Sequence, residues 1–333
     1  MAKLIIMKGL PGSGKTTRAL EILKTDGNCV RVNRDSLRAM MFGDRAWSGH
    51  QEKIVTEVER EIVLKALTMQ KNVIVDDTNL KNYWKTLAIE PDRFPILETV
   101  DLTHVPIALC IERDILRTGR ARVGRGVIER MALENGLVDL STHTKIAIVD
   151  IDGTLANMKH RKHFLDTHPK DYQNFYGCVS YDTPNRAIIH AIQQLNQTGH
   201  TIIILSGRPA YVSGTPDINV GFLTDEWLNK HNVPNYHLFM RRSGDYRPDN
   251  VVKAELFSLL ENKAGMKREA VKIVLDDRER VCEVWRMSGL PLVKVYNDHY
   301  VECREEPKSI FPRLEKFVQL LGIPYSNEKP EDF

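Results

Sequence analysis

No stretch of this chain restricts its architecture as tightly as Gly9-Leu10-Pro11-Gly12-Ser13-Gly14-Lys15-Thr16. The apolar run Leu4-Ile5-Ile6-Met7 comes directly before it, and Thr17 to Lys24 reads as a helix directly after it. Strand, glycine-rich loop, helix is the order in which backbone amides close round phosphate groups. Glycine serves there because it brings no Cβ to obstruct the approach. The loop therefore predicts an α/β fold with a parallel sheet. Gly12, Ser13, Gly14, Lys15, Thr16 and Thr17 are expected to hold a nucleoside triphosphate, ATP or another NTP. Lys15 bridges the β- and γ-phosphates and Thr16 offers its hydroxyl to Mg²⁺.

A second motif, Asp150-Ile151-Asp152-Gly153-Thr154, opens the other half of the chain, at the exit of the apolar run Lys145 to Val149. At 333 residues the chain exceeds what one core usually serves, so two domains are the default. Cys29, Cys110, Cys178, Cys282 and Cys303 are scattered and odd in number, which argues against a disulfide framework or zinc site and for a reducing compartment. No apolar run is long enough to span a bilayer. A net charge of +3 neither demands nor excludes nucleic acid.

The first half carries further chemistry. Val30 to Asn33 reads as a second strand, and Asp35 and Arg38 lie just past its end, where ligands bind in such folds. Asp35 can accept a proton from an attacking hydroxyl, and Arg38, one turn on, can clamp an anionic acceptor. Gln51 to Gln70 reads as a long amphipathic helix. Asn72 to Asn79 reads as a buried strand whose polar end, Asp76-Asp77-Thr78-Asn79, can support Mg²⁺ or the acceptor. Pro106 opens another helix, and its far end is basic: Arg113, Arg117, Arg120, Arg122 and Arg125. Spacing puts Arg113 and Arg117 on one helix face. With Gly119, Gly124 and Gly126 the segment reads as a mobile arginine lid over the triphosphate.

In the second half, two aspartates at i and i+2 converge where the chain turns at Gly153. One carboxylate can attack phosphorus and the other can move the proton, with Mg²⁺ offsetting the repulsion among these anions. Thr201 to Leu205 is a strand ending in Ser206-Gly207-Arg208, a hydroxyl and amides suited to phosphate. Lys253 can neutralise a transferring phosphoryl group. Val271 to Leu275 ends in Asp276-Asp277, which completes an acidic Mg²⁺ site.

The order Asp150/Asp152, Ser206, Lys253, Asp276/Asp277 resembles the haloacid dehalogenase superfamily over residues 145 to 297. The resemblance implies a Rossmann-like parallel sheet, Asp150 as nucleophile, Asp152 as general acid/base, and Mg²⁺ held among Asp150, Asp152, Asp276 and Asp277. Taken together, the two halves resemble the bacteriophage-type polynucleotide 5′-kinase/3′-phosphatases. That likeness makes Asp35 the general base and Arg38 the acceptor-binding arginine. It places Asp77-Thr78-Asn79 on the acceptor side and Arg117 in the lid, with Arg113 or Arg120 able to take that place. Arg161, Arg208, Asp249 and Lys253 match further family positions and imply a site for a 3′-phosphate on a polynucleotide, with Ser206 and Gly207 beside it.

The expected organisation is a kinase domain over 1–138, a linker over 139–144, a phosphatase domain over 145–297 and a C-terminal extension over 298–333 with an amphipathic helix from Phe311 to Leu321. The expected activity is end healing: a phosphoryl group added to 5′-hydroxyl ends of RNA or DNA, and 3′-phosphate, with 2′,3′-cyclic phosphate as a further ester, removed. The expected partners are nucleotide, polynucleotide ends, no membrane, a ligase acting downstream and, by resemblance, a second copy of the chain. A small-molecule kinase fused to a phosphatase, or a nucleotide-dependent scaffold with degenerate sites, are the competing readings.

Overall fold

The computed structural model describes residues 2–43, 49–81, 83–84, 96–212, 218–296 and 300–303. The expected helix Phe311 to Leu321 lies outside the described residues, as does nearly all of the 298–333 extension. The chain forms two compact units, Met1–Val123 and Gly124–Phe333.

The first unit is built on a parallel sheet of β1 (Lys3–Lys8), β2 (Cys29–Val32), β3 (Asn72–Asp76) and β4 (Ile96–Asp101), in the spatial order β2-β3-β1-β4. Its helices are α1 (Lys15–Thr25), α2 (Arg34–Phe42), α3 (Gly49–Thr68) and α4 (Ile107–Ile115). The period-two alternation of β1 sorts its side chains to two cores. Leu4 and Ile6 join Leu37, Val55 and Val63 of α2 and α3, while Ile5 and Met7 join Ala19 of α1. A strand buried on both faces needs the uninterrupted apolar run seen in the sequence. Because the strands run parallel, the ends of β1, β2 and β3 deliver the glycine-rich loop, Asn33 and Asp77 to one edge of the sheet.

The second unit holds a six-stranded sheet in the order β12-β11-β10-β5-β8-β9. Its strands are β5 (Ile146–Val149), β8 (Thr201–Pro209), β9 (Tyr236–Arg241), β10 (Val271–Asp276), β11 (Leu292–Tyr296) and β12 (Tyr300–Cys303), the last of them antiparallel. A small hairpin of β6 (Ala156–Asn157) and β7 (Thr183–Pro184) stands apart. The helices are α5 (Arg125–Glu134), α6 (Tyr172–Gly177), α7 (Arg186–Gln197), α8 (Val220–Lys230), α9 (Asp249–Asn262) and α10 (Glu279–Met287). Central β5 leads directly into Asp150, its neighbour β10 ends in Asp276, and its other neighbour β8 carries Ser206 where its register with β9 breaks.

α5 departs from the sequence reading, which put it in the first domain. Glu129 accepts the Leu238 N–H at 2.5 Å and Arg130 donates to the Met240 carbonyl at 2.7 Å, so the helix is bonded to β9. Gly126 is not a hinge: it sits inside α5, where a Cβ would stand 2.7 Å from Met240 Sδ. The segment read as a linker is likewise packed, with Leu140 buried and its N–H donating to Ala264 O at 2.7 Å.

Candidate active sites

In the first unit, Gly14 caps α1 in a left-handed conformation and offers no side chain to the first turn, which also holds no acidic residue. The turn's amides are left for an anion, the electrostatic preference of a helix N-terminus. Gly12 lies at φ +83°, and a Cβ there would stand 2.2 Å from the Cys110 carbonyl oxygen, so the loop is seated directly on α4. Lys15 is buried and donates to Leu10 O at 2.7 Å. Burial lowers its pKa to about 8, with the Arg117 charge adding to the effect and Asp76 opposing it. An anion at the loop restores its proton affinity. Ser13 Oγ is buried without a partner among the described residues, whereas Thr16 and Thr17 are exposed on the first turn of α1. An orphaned buried hydroxyl and an uncapped helix turn fit a bound triphosphate.

The acceptor side forms from α2, α3 and the end of β3. The Asn33 side chain caps α2 by accepting the Ser36 N–H at 2.9 Å and donates to Asp76 O at 2.5 Å. That sets Asp35 on the first turn, 86% exposed, with its carboxylate 2.6 Å from Arg38. Arg38 also grips Glu52 at 2.6 and 2.8 Å, and Arg34 reaches the same carboxylate at 3.0 Å. Asp77 accepts the Arg34 N–H at 3.2 Å. Its second oxygen is buried without a conventional donor and faces the buried Glu59, and burial raises the pKa of both acids. Thr78 ties strand to loop through its carbonyl, which accepts the Gly9 N–H at 3.0 Å. Asp76 binds Arg31 at 2.6 Å and leaves Oδ1 buried without a partner, a fit for a cation beside the phosphates.

The arginines are divided. Arg113 approaches the loop at Gly12 O, 3.3 Å away. α4 ends at Ile115, so Arg117 lies beyond the helix rather than on a shared face, bonded to Ala121 O at 3.3 Å and paired with Asp114 at 3.5 Å. Pro106 caps α4 rather than opening it. The side chain of Arg120 lies outside the described residues. Arg125 leaves the lid altogether and pairs with Asp225 of α8 at 2.9 Å.

In the second unit the charges are buried and interlocked. Lys253 Nζ, on α9, stands 2.5 Å from Asp150 and 2.8 Å from Asp276. Against the downward push of burial, those two carboxylates raise the pKa of Lys253, so it keeps its proton. Burial drives the Asp150 pKa up, Lys253 opposes the rise and Asp276 and Asp277 add to it. Asp150, Asp276 and Asp277 each place an oxygen within 4.8 Å of the others, and Asp277 Oδ1 is buried without a partner. Burial and the Asp276 charge push Asp277 up to about 6. Three crowded carboxylates with one lysine and an orphaned oxygen fit a divalent cation, whose charge reverses these upward shifts.

Asp152 was expected in this acidic set, but its carboxylate is engaged elsewhere. Arg208 meets it at 2.6 and 3.0 Å and Arg161 at 2.7 Å. Against the upward push of burial, the two guanidiniums hold its carboxyl well below the usual carboxylate range. Both arginines also bind Asp182, at 2.6 and 2.7 Å from Arg161 and 2.7 Å from Arg208. A Cβ at Gly207 would stand 1.9 Å from Asp249 Oδ1, and one at Gly153, which lies at φ +95°, would meet Asp277 Oδ2 at 2.0 Å, so both turns pass close under a carboxylate. Ser206 is buried and accepts the Arg208 N–H at 3.2 Å. Glu52, Glu59 and Asp182 were not singled out in the sequence. Each is a lone acid outside any motif, and its partners are remote in the chain.

A phosphate-gripping loop on one parallel sheet and an aspartate-centred phosphoryl site on another define a two-domain phosphoryl-transfer protein. Residues 144–300 match the family model of the polynucleotide kinase PNKP phosphatase domain, and residues 4–132 match that of an AAA domain. Together the two matches make the chain similar to kinase–phosphatases of the PNKP type. It is 25% identical over 317 residues to a protein of Autographa californica nuclear polyhedrosis virus named as a candidate bifunctional polynucleotide kinase/RNA ligase, a match covering 87% of this chain and 42% of that protein. The chain thus spans less than half the length of that relative. Among solved structures, a chain of the Pnkp1/Rnl/Hen1 complex is similar at 28% identity, with 88% of this chain and 96% of that one covered and a TM-score of 0.36. Phosphoserine phosphatase in its apo form is similar at 13% identity, with coverage of 52% and 90% and a TM-score of 0.31. No described helix is long and apolar enough to cross a membrane.

Proposed function

We propose that this chain heals broken polynucleotide ends, adding phosphate at the 5′ terminus and removing it at the 3′ terminus. The observation that carries the reading is that one chain holds both the Lys15 loop and the Asp150–Lys253–Asp276 centre, the latter inside a region matched to polynucleotide phosphatases. Kinase residues fall within 1–123 and phosphatase residues within 145–297.

In the kinase reaction Asp35 takes the proton of a 5′-hydroxyl held by Arg38 and Asp77. The hydroxyl oxygen bonds to the γ-phosphorus as the β–γ bridging bond breaks, and nucleoside diphosphate leaves. Lys15, the loop amides, Arg113 and Arg117 stabilise the charge that develops on the transferring group. Thr16 and Asp76 are the groups suited to the Mg²⁺ that accompanies the triphosphate.

In the phosphatase reaction a carboxylate oxygen of Asp150 bonds to phosphorus while the bond to the 3′-oxygen breaks. Water then attacks the aspartyl phosphate and gives its proton to Asp152, which releases inorganic phosphate and regenerates the Asp150 carboxylate. Asp152, held ionised by Arg161 and Arg208, suits the second step as it stands. Protonating the leaving 3′-oxygen in the first step requires Asp152 to take up a proton from solvent, which it can do once an entering phosphate draws one arginine away and its pKa rises. Lys253, Ser206 and the Gly207 amide hold the phosphoryl oxygens. Asp150, Asp276 and Asp277 would hold Mg²⁺, which supplies charge neutralisation to this crowd of anions. The product, 5′-phosphate with 3′-hydroxyl, is what a ligase consumes.

The test is end-group analysis of one 5′-hydroxyl, 3′-phosphate oligonucleotide incubated with ATP and Mg²⁺. Both ends should be converted. Transfer confined to free nucleosides or sugars would replace this reading with a small-molecule kinase–phosphatase.

A further inference from the structure

Tyr246 is 87% exposed, yet the turn that carries it is closely bonded. Arg241, at the end of β9, donates to Asp245 O at 3.1 Å and to Arg247 O, gripping the backbone on both sides of Tyr246. The same guanidinium donates to Gly207 O at 2.7 Å and meets Asp249 at 3.2 Å. Arg247 folds back on Asp245 at 2.7 and 2.9 Å and reaches Glu255 at 2.6 Å. Gly244, at φ +76°, supplies the left-handed step that closes the turn.

These bonds fix the backbone while the tyrosine ring projects into solvent. A lone exposed aromatic needs no explanation in itself. This one is anchored, through a single arginine, to the phosphate-binding loop. Asp249 lies three positions further on, so the Cα of Tyr246 is at most ~11 Å from that of the aspartate overlying Gly207. A strand covers that distance in about three nucleotides at its stacked rise. Arg278, 46% exposed and 3.3 Å from Asp249, adds a cation at the same rim for backbone phosphate.

We infer that Tyr246 is a stacking platform for one of the three nucleobases nearest the 3′-phosphate of the strand entering the phosphatase site. A rigidly presented tyrosine gives a base a π-face at little entropic cost and without sequence preference. Arg241 positions the platform relative to the phosphate loop, so the strand is registered by a base and a phosphate together. This inference rests on the polynucleotide reading above.

The experiment uses the full chain and 3′-phosphorylated oligonucleotides, either intact or with an abasic sugar at each of the last three positions in turn. For the wild-type protein, removing one of those bases should lower kcat/KM roughly tenfold. In Tyr246→Ala the ratio of intact to abasic kcat/KM should collapse towards one, and Tyr246→Trp should keep it. An unchanged ratio in Tyr246→Ala, whether or not both rates fall together, overturns the inference. Wild-type hydrolysis that is indifferent to every abasic position overturns the inference alone. No phosphate release from any oligonucleotide overturns the polynucleotide reading with it.

Discussion

The two active sites are built to opposite plans. In the phosphatase site Arg161, Arg208, Lys253 and Asp182 are buried and every one of these charges has an opposite partner before any substrate arrives. In the kinase site Asp35 is 86% exposed, Thr16 is exposed and Arg117 is 39% exposed, while Ser13, Lys15 and the acids behind them are buried. The chemistry explains the difference. An enzyme that attacks with its own carboxylate must hold that nucleophile and its counter-ions in register in advance. A kinase that joins two substrates completes its charge balance only when both are present. Buried ion networks of the first kind are costly to desolvate, which makes them brittle once a member is removed.

The sharpest way to break this comparison is to disable each site separately. Lys15→Ala should lower 5′-phosphorylation by on the order of 10³-fold or more and leave 3′-phosphate release intact. Asp150→Asn should do the reverse, with a phosphatase loss of about 10⁴-fold or greater, since the attacking oxygen is gone. Both activities are followed on the same doubly labelled oligonucleotide. If either substitution removed both activities, the sites would not be separate.

A second, smaller effect tests brittleness. Asp182 contacts both arginines that hold Asp152, and His160 reaches it at 2.9 Å. Asp182→Asn keeps the shape but removes the charge that balances two buried guanidiniums. Phosphatase kcat should fall roughly 10²-fold through misplaced arginines, with kinase activity unchanged. Asp35 is open to solvent and its direct attraction to Arg38 is weak, so Arg38, itself held by Glu52, should act mainly through the acceptor. Arg38→Lys should therefore raise KM for the 5′-hydroxyl strand with a smaller loss of stability than Asp182→Asn, which should clearly lower the unfolding midpoint in urea.

What the sequence made legible follows the same divide. The groups suited to phosphate sit at or near the end of a parallel strand, and there the chemistry is written contiguously: Gly9 to Thr16, Asp150 to Asp152, Ser206 to Arg208, Asp276-Asp277. The groups that hold those groups are single residues met through the fold. Asp182 lies 21 positions from Arg161 and 26 from Arg208, and no local pattern announces it. The basic stretch from Arg113 to Arg125 misled for a related reason. Its composition is uniform, but Arg113 faces the glycine-rich loop while Arg125 begins a helix whose next turns are bonded to β9. Glycine was equally ambiguous: Gly126 is there to let α5 lie against Met240, not to give freedom.

The smallest effect concerns the acids behind the kinase site. Glu59, 2% exposed on α3, and Asp77 leave one oxygen each buried without a conventional donor, which is relieved when one proton lies between them. Burial, then the hydrogen bond with Asp77, pushes Glu59 up to about 9. Because the folded pKa is raised above the ordinary 4.5, this acid's contribution to stability is complete below that value and is lost as pH rises through about 9. Glu59→Gln carries its own N–H donor for Asp77 and does not titrate. Hydrogen exchange of α3 and β3 should therefore show the variant gaining on the wild type by roughly 1 kcal/mol per pH unit between pH 6 and 8. A constant difference over that range would mean that the folded protein holds no extra proton on this pair and that Glu59 is already ionised.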